Sequence, residues 1–187
     1  APIQRAIMAG DTRSGISIMR VVLKLDAGPV WLTRECPIDP TTTGGELHDT
    51  LAALGARALD EAIARYLAGD IVEAPQDEAG VTYAAKLGPA DRLIDWQRTA
   101  REIDCQVRAL APAPGAQTRL GGLEVKVLAG HPRADGRGAA AGALLGHDDD
   151  GILVATADGC YAITELQPAG KQRMSARAFR HGYGQHL

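Results

Sequence analysis

The chain has 187 residues, 45% of them hydrophobic and 23% charged, with a formal charge of -3, values that exclude disordered and fibrous classes and fit a globular protein. Its length suits one large domain or one and a half small ones, and with one Phe, two Trp and four Tyr the core must be aliphatic. No apolar run is long enough to span a bilayer and no secretory signal pattern is present, so a cytoplasmic protein is expected. The chain opens Ala1-Pro2-Ile3-Gln4 without a Met, so we expect it to begin inside a longer gene product.

Residues 3–9 (IQRAIMA) read as a short helix ended by Gly10. The β-branched segment 15–26 (GISIMRVVLKLD) reads as a strand, and 30–36 (VWLTREC) alternates as a second one. Ala27-Gly28-Pro29 between them is a turn, which makes 16–36 a hairpin with Asp26 at its tip. The clearest helix is 44–69, where Leu47, Leu51, Leu54, Ala58, Ala62 and Ile63 recur at helical spacing; Thr42 or Thr43 can cap it and Gly69 follows its end. From Asp70 to Lys86 and the following Leu87-Gly88 the pattern weakens, and 70–88 reads as an interdomain linker.

A second unit spans 89–187. Thr99-Ala-Arg-Glu102 is a capping box ahead of an apolar face of Ile103, Val107 and Leu110, and Pro112 and Pro114 end that helix. Short strands follow at 117–129, with a Gly-Gly turn, and at 142–146, 151–157 and 160–166; Asp158-Gly159 is a hairpin signal, and the spacing suggests a small β-barrel. Residues 1–88 hold eight Lys or Arg against twelve Asp or Glu, whereas 167–187 carries Lys171, Arg173, Arg177 and Arg180 and no acid. Such a stretch is either an anion-binding surface or a solvated tail.

Asp26, at a turn between strands, is placed for proton transfer or for orienting a histidine, yet Asp is also among the commonest turn residues. Cys36, Cys105 and Cys160 form no C-x-x-C pair and fit a reducing compartment. His48, His131, His147, His181 and His186 show no metal-ligand spacing, and Asp148-Asp149-Asp150 lacks the spaced ligands of a calcium loop, so no metal is expected. Phosphate-loop, dinucleotide and G-x-S-x-G motifs do not occur.

Segments 1–11 (APIQRAIMAGD), 14–30 (SGISIMRVVLKLDAGPV), 81–87 (VTYAAKL), 92–96 (RLIDW) and 166–176 (LQPAGKQRMSA) together resemble methionyl-tRNA formyltransferases in order and spacing. The first two are shared with the wider group of formyltetrahydrofolate enzymes. The resemblance implies an α/β plus β architecture: residues 1–69 end a Rossmann-like formyltransferase domain, and 89–187 form an OB-like barrel that carries tRNA. It implies transfer of the formyl group of 10-formyltetrahydrofolate to initiator methionyl-tRNA, with neither DNA nor membrane as partner. Asp26 matches the family's catalytic Asp, with Leu25 and Gly28 beside the folate. The family's Asn and His would lie upstream of Ala1, in a missing N-terminal segment of the same domain, so the chain alone is expected to be inactive. His48 lies on the long helix and does not replace that His. Ala27 stands where the family usually has Thr, a change that leaves the carboxylate in place. Lys86, Lys171 and Arg173 fall within family motifs and are the candidate phosphate contacts. A sugar-nucleotide formyltransferase or a formyltetrahydrofolate hydrolase would keep Asp26 and the hairpin without needing a basic barrel. A non-catalytic RNA-binding module is the third reading.

Overall fold

A computed structural model describes residues 1–136 and 138–186. Helix α1 (Pro2–Ala9) has Pro at its first position, where the missing N–H costs nothing, and ends at Gly10 in the left-handed conformation. Strands β1 (Arg13–Met19) and β2 (Val30–Pro37) form an antiparallel pair in which Arg13 faces Pro37 and Met19 faces Val30. Helix α2 (Gly44–Ala68) starts in a full Thr43/Glu46 capping box and ends at a left-handed Gly69. It buries Leu47, Leu51, Ala58 and Ala62 against the hairpin, where Leu32 and Cys36 meet it.

Two expectations for this half need correction. The first strand does not run to Asp26: it stops at Met19, after a register shift at Ile18/Met19. Arg20–Pro29 is then a loop, closed by the Arg20 N–H donating to the Pro29 carbonyl at 3.0 Å, so Asp26 sits in an extended loop and not at a tight hairpin tip. The apolar residues that suggested a longer strand, Val21, Leu23 and Leu25, are 88%, 109% and 87% exposed, so among the described residues no layer packs on them.

Residues 70–99 contain no strand or helix longer than a single turn. They are nevertheless tied down. Ala74 exchanges two backbone bonds with Val30, at 2.7 and 2.9 Å. Arg5 forks onto Asp91 at 2.7 and 2.9 Å, and its Nε donates to Ala85 O at 3.3 Å.

Helix α3 (Ala100–Leu110) uses the Thr99/Glu102 box, and its first amide also donates to Asp158 Oδ1 at 2.8 Å. The strands that follow are β3 (Ala116–Leu120), β4 (Leu123–Arg133), β5 (Leu144–His147), β6 (Ile152–Ala155), β7 (Cys160–Pro168) and β8 (Met174–Ser175). They pair in the order β3-β4-β7-β6-β5, with β8 on β7. This corrects the closed barrel: among the described residues β3 and β5 are separate edges. The long β4 bends at two register shifts, between Val127 and Gly130, and curls the sheet around α3. Ile103, Val107 and Leu110 fill the concave side against Val127, Ile152, Tyr161, Ile163 and Leu166, all essentially inaccessible to water.

The basic C-terminal stretch is also no simple tail. Helix α4 (Ala176–Tyr183), capped by Ser175, drives Phe179 into that core, where it is 0% exposed and stacks on Tyr183 at 4.9 Å. Asp148 in the acidic triplet pairs with Arg133 and accepts the amides of Asp150 and Gly151, so the triplet is a braced turn.

Candidate functional site

The Arg20–Pro29 loop is positioned from below by backbone and from the side by a distant segment. Gly28 is buried, and a Cβ there would lie 1.7 Å from the Arg20 carbonyl oxygen, so only glycine lets the two loop ends close. Asp26 has φ 52, the one positive φ at a non-glycine among the described residues. Its side chain is exposed, and among the described residues none donates to its carboxylate. Its carbonyl accepts from Gln76 Nε2 at 2.9 Å, and the same amide nitrogen donates to Gly28 O at 2.7 Å. Arg20 pairs with Glu73 at 3.3 Å and Lys24 with Glu78 at 2.8 Å. The loop thus presents a carboxylate, flanked by an exposed Leu25, on a backbone gripped by residues 73–78. Gln76, Glu73 and Glu78 were missed from sequence, where 70–88 looked featureless. No local pattern could have found them, because their partners are some fifty residues earlier.

A second group of residues lies on the other unit. Lys171 sits on the β7–β8 turn, with its N–H donating to Pro168 O at 3.0 Å and its carbonyl accepting from Gln167 Nε2 at 2.7 Å. Its side chain is exposed, as is that of Lys86, whose carbonyl accepts from Arg5 at 3.3 Å. Arg173 is different: its Nε donates to Glu165 at 2.6 Å, so part of its charge is already neutralised. Gln167 and Gly170 border a groove of about 360 Å3 that Arg119 and Lys126, on β3 and β4, line together with Glu124. Those two cations were not singled out, although their alternation with buried Leu120, Val125 and Val127 places them on the outer face. Arg180 leaves this surface altogether: it lines a separate cleft with His147 and His181 and donates to Asp148 O at 3.0 Å. The basic stretch therefore divides between two places.

Electrostatics here are local. Asp91 is held below the usual carboxylate range by the Arg5 guanidinium and the Gly88 amide. Glu102 is lowered to about 2 by the Thr99 hydroxyl and amide, with Arg98 adding to it. Tyr161 is pushed upward by burial and by Asp104 nearby. All three belong to structural braces and none touches the Asp26 loop. Among the described residues no cluster of three His, Cys, Asp or Glu side chains could hold a metal ion.

Comparison with known proteins bears on both units. Residues 1–63 match the family model for formyl transferase, and residues 86–184 match that for the formyl transferase C-terminal domain. The chain is 48% identical over 187 residues to methionyl-tRNA formyltransferase of Symbiobacterium thermophilum, covering 98% of this chain and 57% of that protein. It is 46% identical to methionyl-tRNA formyltransferase of Nitratidesulfovibrio vulgaris over 190 residues, with the same coverage of 98% and 57%. The chain thus spans just over half the length of these curated relatives. In fold it superposes on HypX from Aquifex aeolicus, solved with tetrahydrofolic acid, with a TM-score of 0.73 at 22% identity, covering 99% of this chain and 32% of that one. Both units match in their natural order and together account for most of the residues, so the chain belongs to the formyl transferase family.

Proposed function

We propose that the protein carrying this chain transfers the formyl group of 10-formyltetrahydrofolate to the α-amine of initiator methionyl-tRNA, in the cytoplasm, at the start of translation. The observation that carries this reading is that relatives named methionyl-tRNA formyltransferase align with 98% of the chain at 42% to 48% identity, through the Asp26 loop and the C-terminal unit alike.

In this reading residues 1–69 belong to the catalytic domain, 70–88 link it to the next, and 89–187 are an OB-like unit in open form. The amine attacks the formyl carbon, a C–N bond forms, and the tetrahedral oxyanion collapses as the bond to the folate nitrogen breaks and that nitrogen takes up a proton. The amine must lose a proton on the way. Asp26 serves this step as the carboxylate that orients and charge-stabilises the histidine implied by the family resemblance. Its exposed carboxylate has room for such a partner. Leu25, 87% exposed, offers apolar surface to the flat rings of the folate, and Gly28 lets the loop close beside them. Lys86 and Lys171, with Arg119 and Lys126 along the groove, supply phosphate contacts, and Arg173 adds a partly neutralised one.

The test is Asp26→Asn in the full-length gene product, assayed with 10-formyltetrahydrofolate and methionyl-tRNA. A fall in kcat of about 10²- to 10⁴-fold is expected for loss of a group in the proton-transfer machinery. A kcat within twofold of the parent removes Asp26 from the mechanism. Absence of tRNA binding by the parent protein would instead favour a formyltransferase acting on a smaller amine.

A further inference from the structure

The Asp26 loop has little of its own to hold it. Val21, Leu23 and Leu25 are exposed, so no apolar contact with the other described residues holds them. Asp26 itself adopts a left-handed backbone at φ 52, which Asp tolerates better than most L-residues but which still costs more than the ordinary regions. Two features of the fold hold it there. One is the closure at Gly28 described above. The other comes from a different part of the chain: Gln76 Nε2 donates to the carbonyls of Asp26 and Gly28, at 2.9 and 2.7 Å, and lies 3.7 Å from Met19 Sδ. The two carbonyls flank Ala27, so one amide group spans the step from the catalytic candidate to the closure point.

Gln76 is itself anchored. Ala74 is bonded both ways to Val30 on β2, Glu73 accepts from Trp31 Nε1 at 3.2 Å and pairs with Arg20, and Glu78 pairs with Lys24. The residues on both sides of Gln76 are therefore pinned to the hairpin that carries the loop. The chemistry of the side chain also matters. A primary amide brings two N–H bonds on one nitrogen, without charge. Lys or Arg would bring a cation beside the carboxylate, and an ionised Glu could donate to neither carbonyl.

We propose that Gln76 is a positioning residue for Asp26: it fixes the left-handed loop conformation that aims the carboxylate, and it acts on the reaction only through Asp26. This rests on the reading of Asp26 as the catalytic carboxylate. It gives the segment between the two units a part in catalysis separate from any contact with RNA.

The experiment is a double-mutant cycle in the full-length gene product, with Gln76→Ala, Asp26→Asn and the double variant. The readouts are kcat, the KM for methionyl-tRNA, and the melting temperature. Gln76→Ala should lower kcat about ten- to a hundredfold, the scale set by a carboxylate displaced by roughly 1 Å, with the KM for tRNA within about twofold. In the Asp26→Asn background the same change should lower kcat by less than about threefold, because the group it positions is already gone. Gln76→Glu keeps the packing and removes both donors; it should reproduce the kcat loss, and it carries the test if Gln76→Ala does not fold. A kcat within threefold of the parent for Gln76→Ala and Gln76→Glu, while Asp26→Asn is strongly impaired, would overturn the proposal. So would an equal loss in both backgrounds, or a loss that falls on the KM for tRNA alone. Should Asp26→Asn itself be fully active, the catalytic reading fails first, an outcome distinct from either of these.

Discussion

Gly28→Ala tests the loop from its base. The added methyl carbon would sit 1.7 Å from the Arg20 carbonyl oxygen and 2.9 Å from the Arg20 carbonyl carbon. Both are backbone atoms, so no side chain can swing aside. Relief requires the loop ends to part by more than about 1 Å, since non-bonded carbon and oxygen approach no closer than about 3 Å. That movement breaks the Arg20 N–H to Pro29 carbonyl bond of 3.0 Å. Losing such a bond costs about 1 kcal/mol. The strain of forcing an extra methyl into a closed site adds about 1–3 kcal/mol. The expected total is about 2–4 kcal/mol, unless the loop reorganises to escape it. In that case the cost moves from stability to the proposed role of Asp26, which, two residues away, shifts with the loop. Urea unfolding and formylation kinetics on the full-length gene product measure both quantities. Gly80→Ala is the control: a Cβ there meets nothing within 4 Å, so a change within about 0.5 kcal/mol is expected. A Gly28→Ala protein with parental stability and parental kcat would refute the closure argument.

Other outcomes follow from the same geometry. Phe179→Ala removes a fully buried ring that stacks on Tyr183, and should cost about 3–5 kcal/mol, read as a lowered urea midpoint. Lys171→Ala should weaken tRNA binding and reduce the salt slope by about 1, whereas Arg173→Ala should change the slope less because Glu165 already pairs with it; equal effects would argue against that pairing in solution. Glu102 is held at about 2, below the 4.5 of a free glutamate, so its contribution is complete above pH 4.5 and disappears as the pH falls toward 2. With that side chain 47% exposed, screening leaves about 1 kcal/mol of capping energy, and Thr99→Ala should flatten this part of the stability-pH curve; an unchanged curve would count against it.

Some of this molecule was legible residue by residue. Helix α2 could be placed by its apolar spacing with a Thr42 or Thr43 cap, and α3 by its capping box and apolar spacing, because these signals act within one or two turns of chain. The β3–β4 and β6–β7 hairpins announced themselves through Gly-Gly and Asp-Gly. Asp26 could be located, though its standing rose only through resemblance across the whole chain. Local rules failed where the deciding partner was remote. The first strand ends seven residues before the Asp26 end that its chemistry suggests, because among the described residues no sheet or core lies beside Val21, Leu23 and Leu25. Helix α4 read only as a basic stretch, either an anion-binding surface or a solvated tail, because Phe179 signals nothing until the curled sheet offers it a pocket. Sheet closure depended on where β5 lies relative to β3, which turn signals do not encode.

Short-range hydrogen bonding and apolar spacing suffice for α2, α3 and the turn-marked hairpins and for their order, whereas Asp26 gained its role only from resemblance across the chain. Tertiary structure alone decided that Asp26 stands in a left-handed loop gripped by Gln76, and that Arg119 and Lys126 share a groove with the turn before Lys171. Both depend on chain segments brought together by burial of other residues, and no local preference of the residues concerned specifies them.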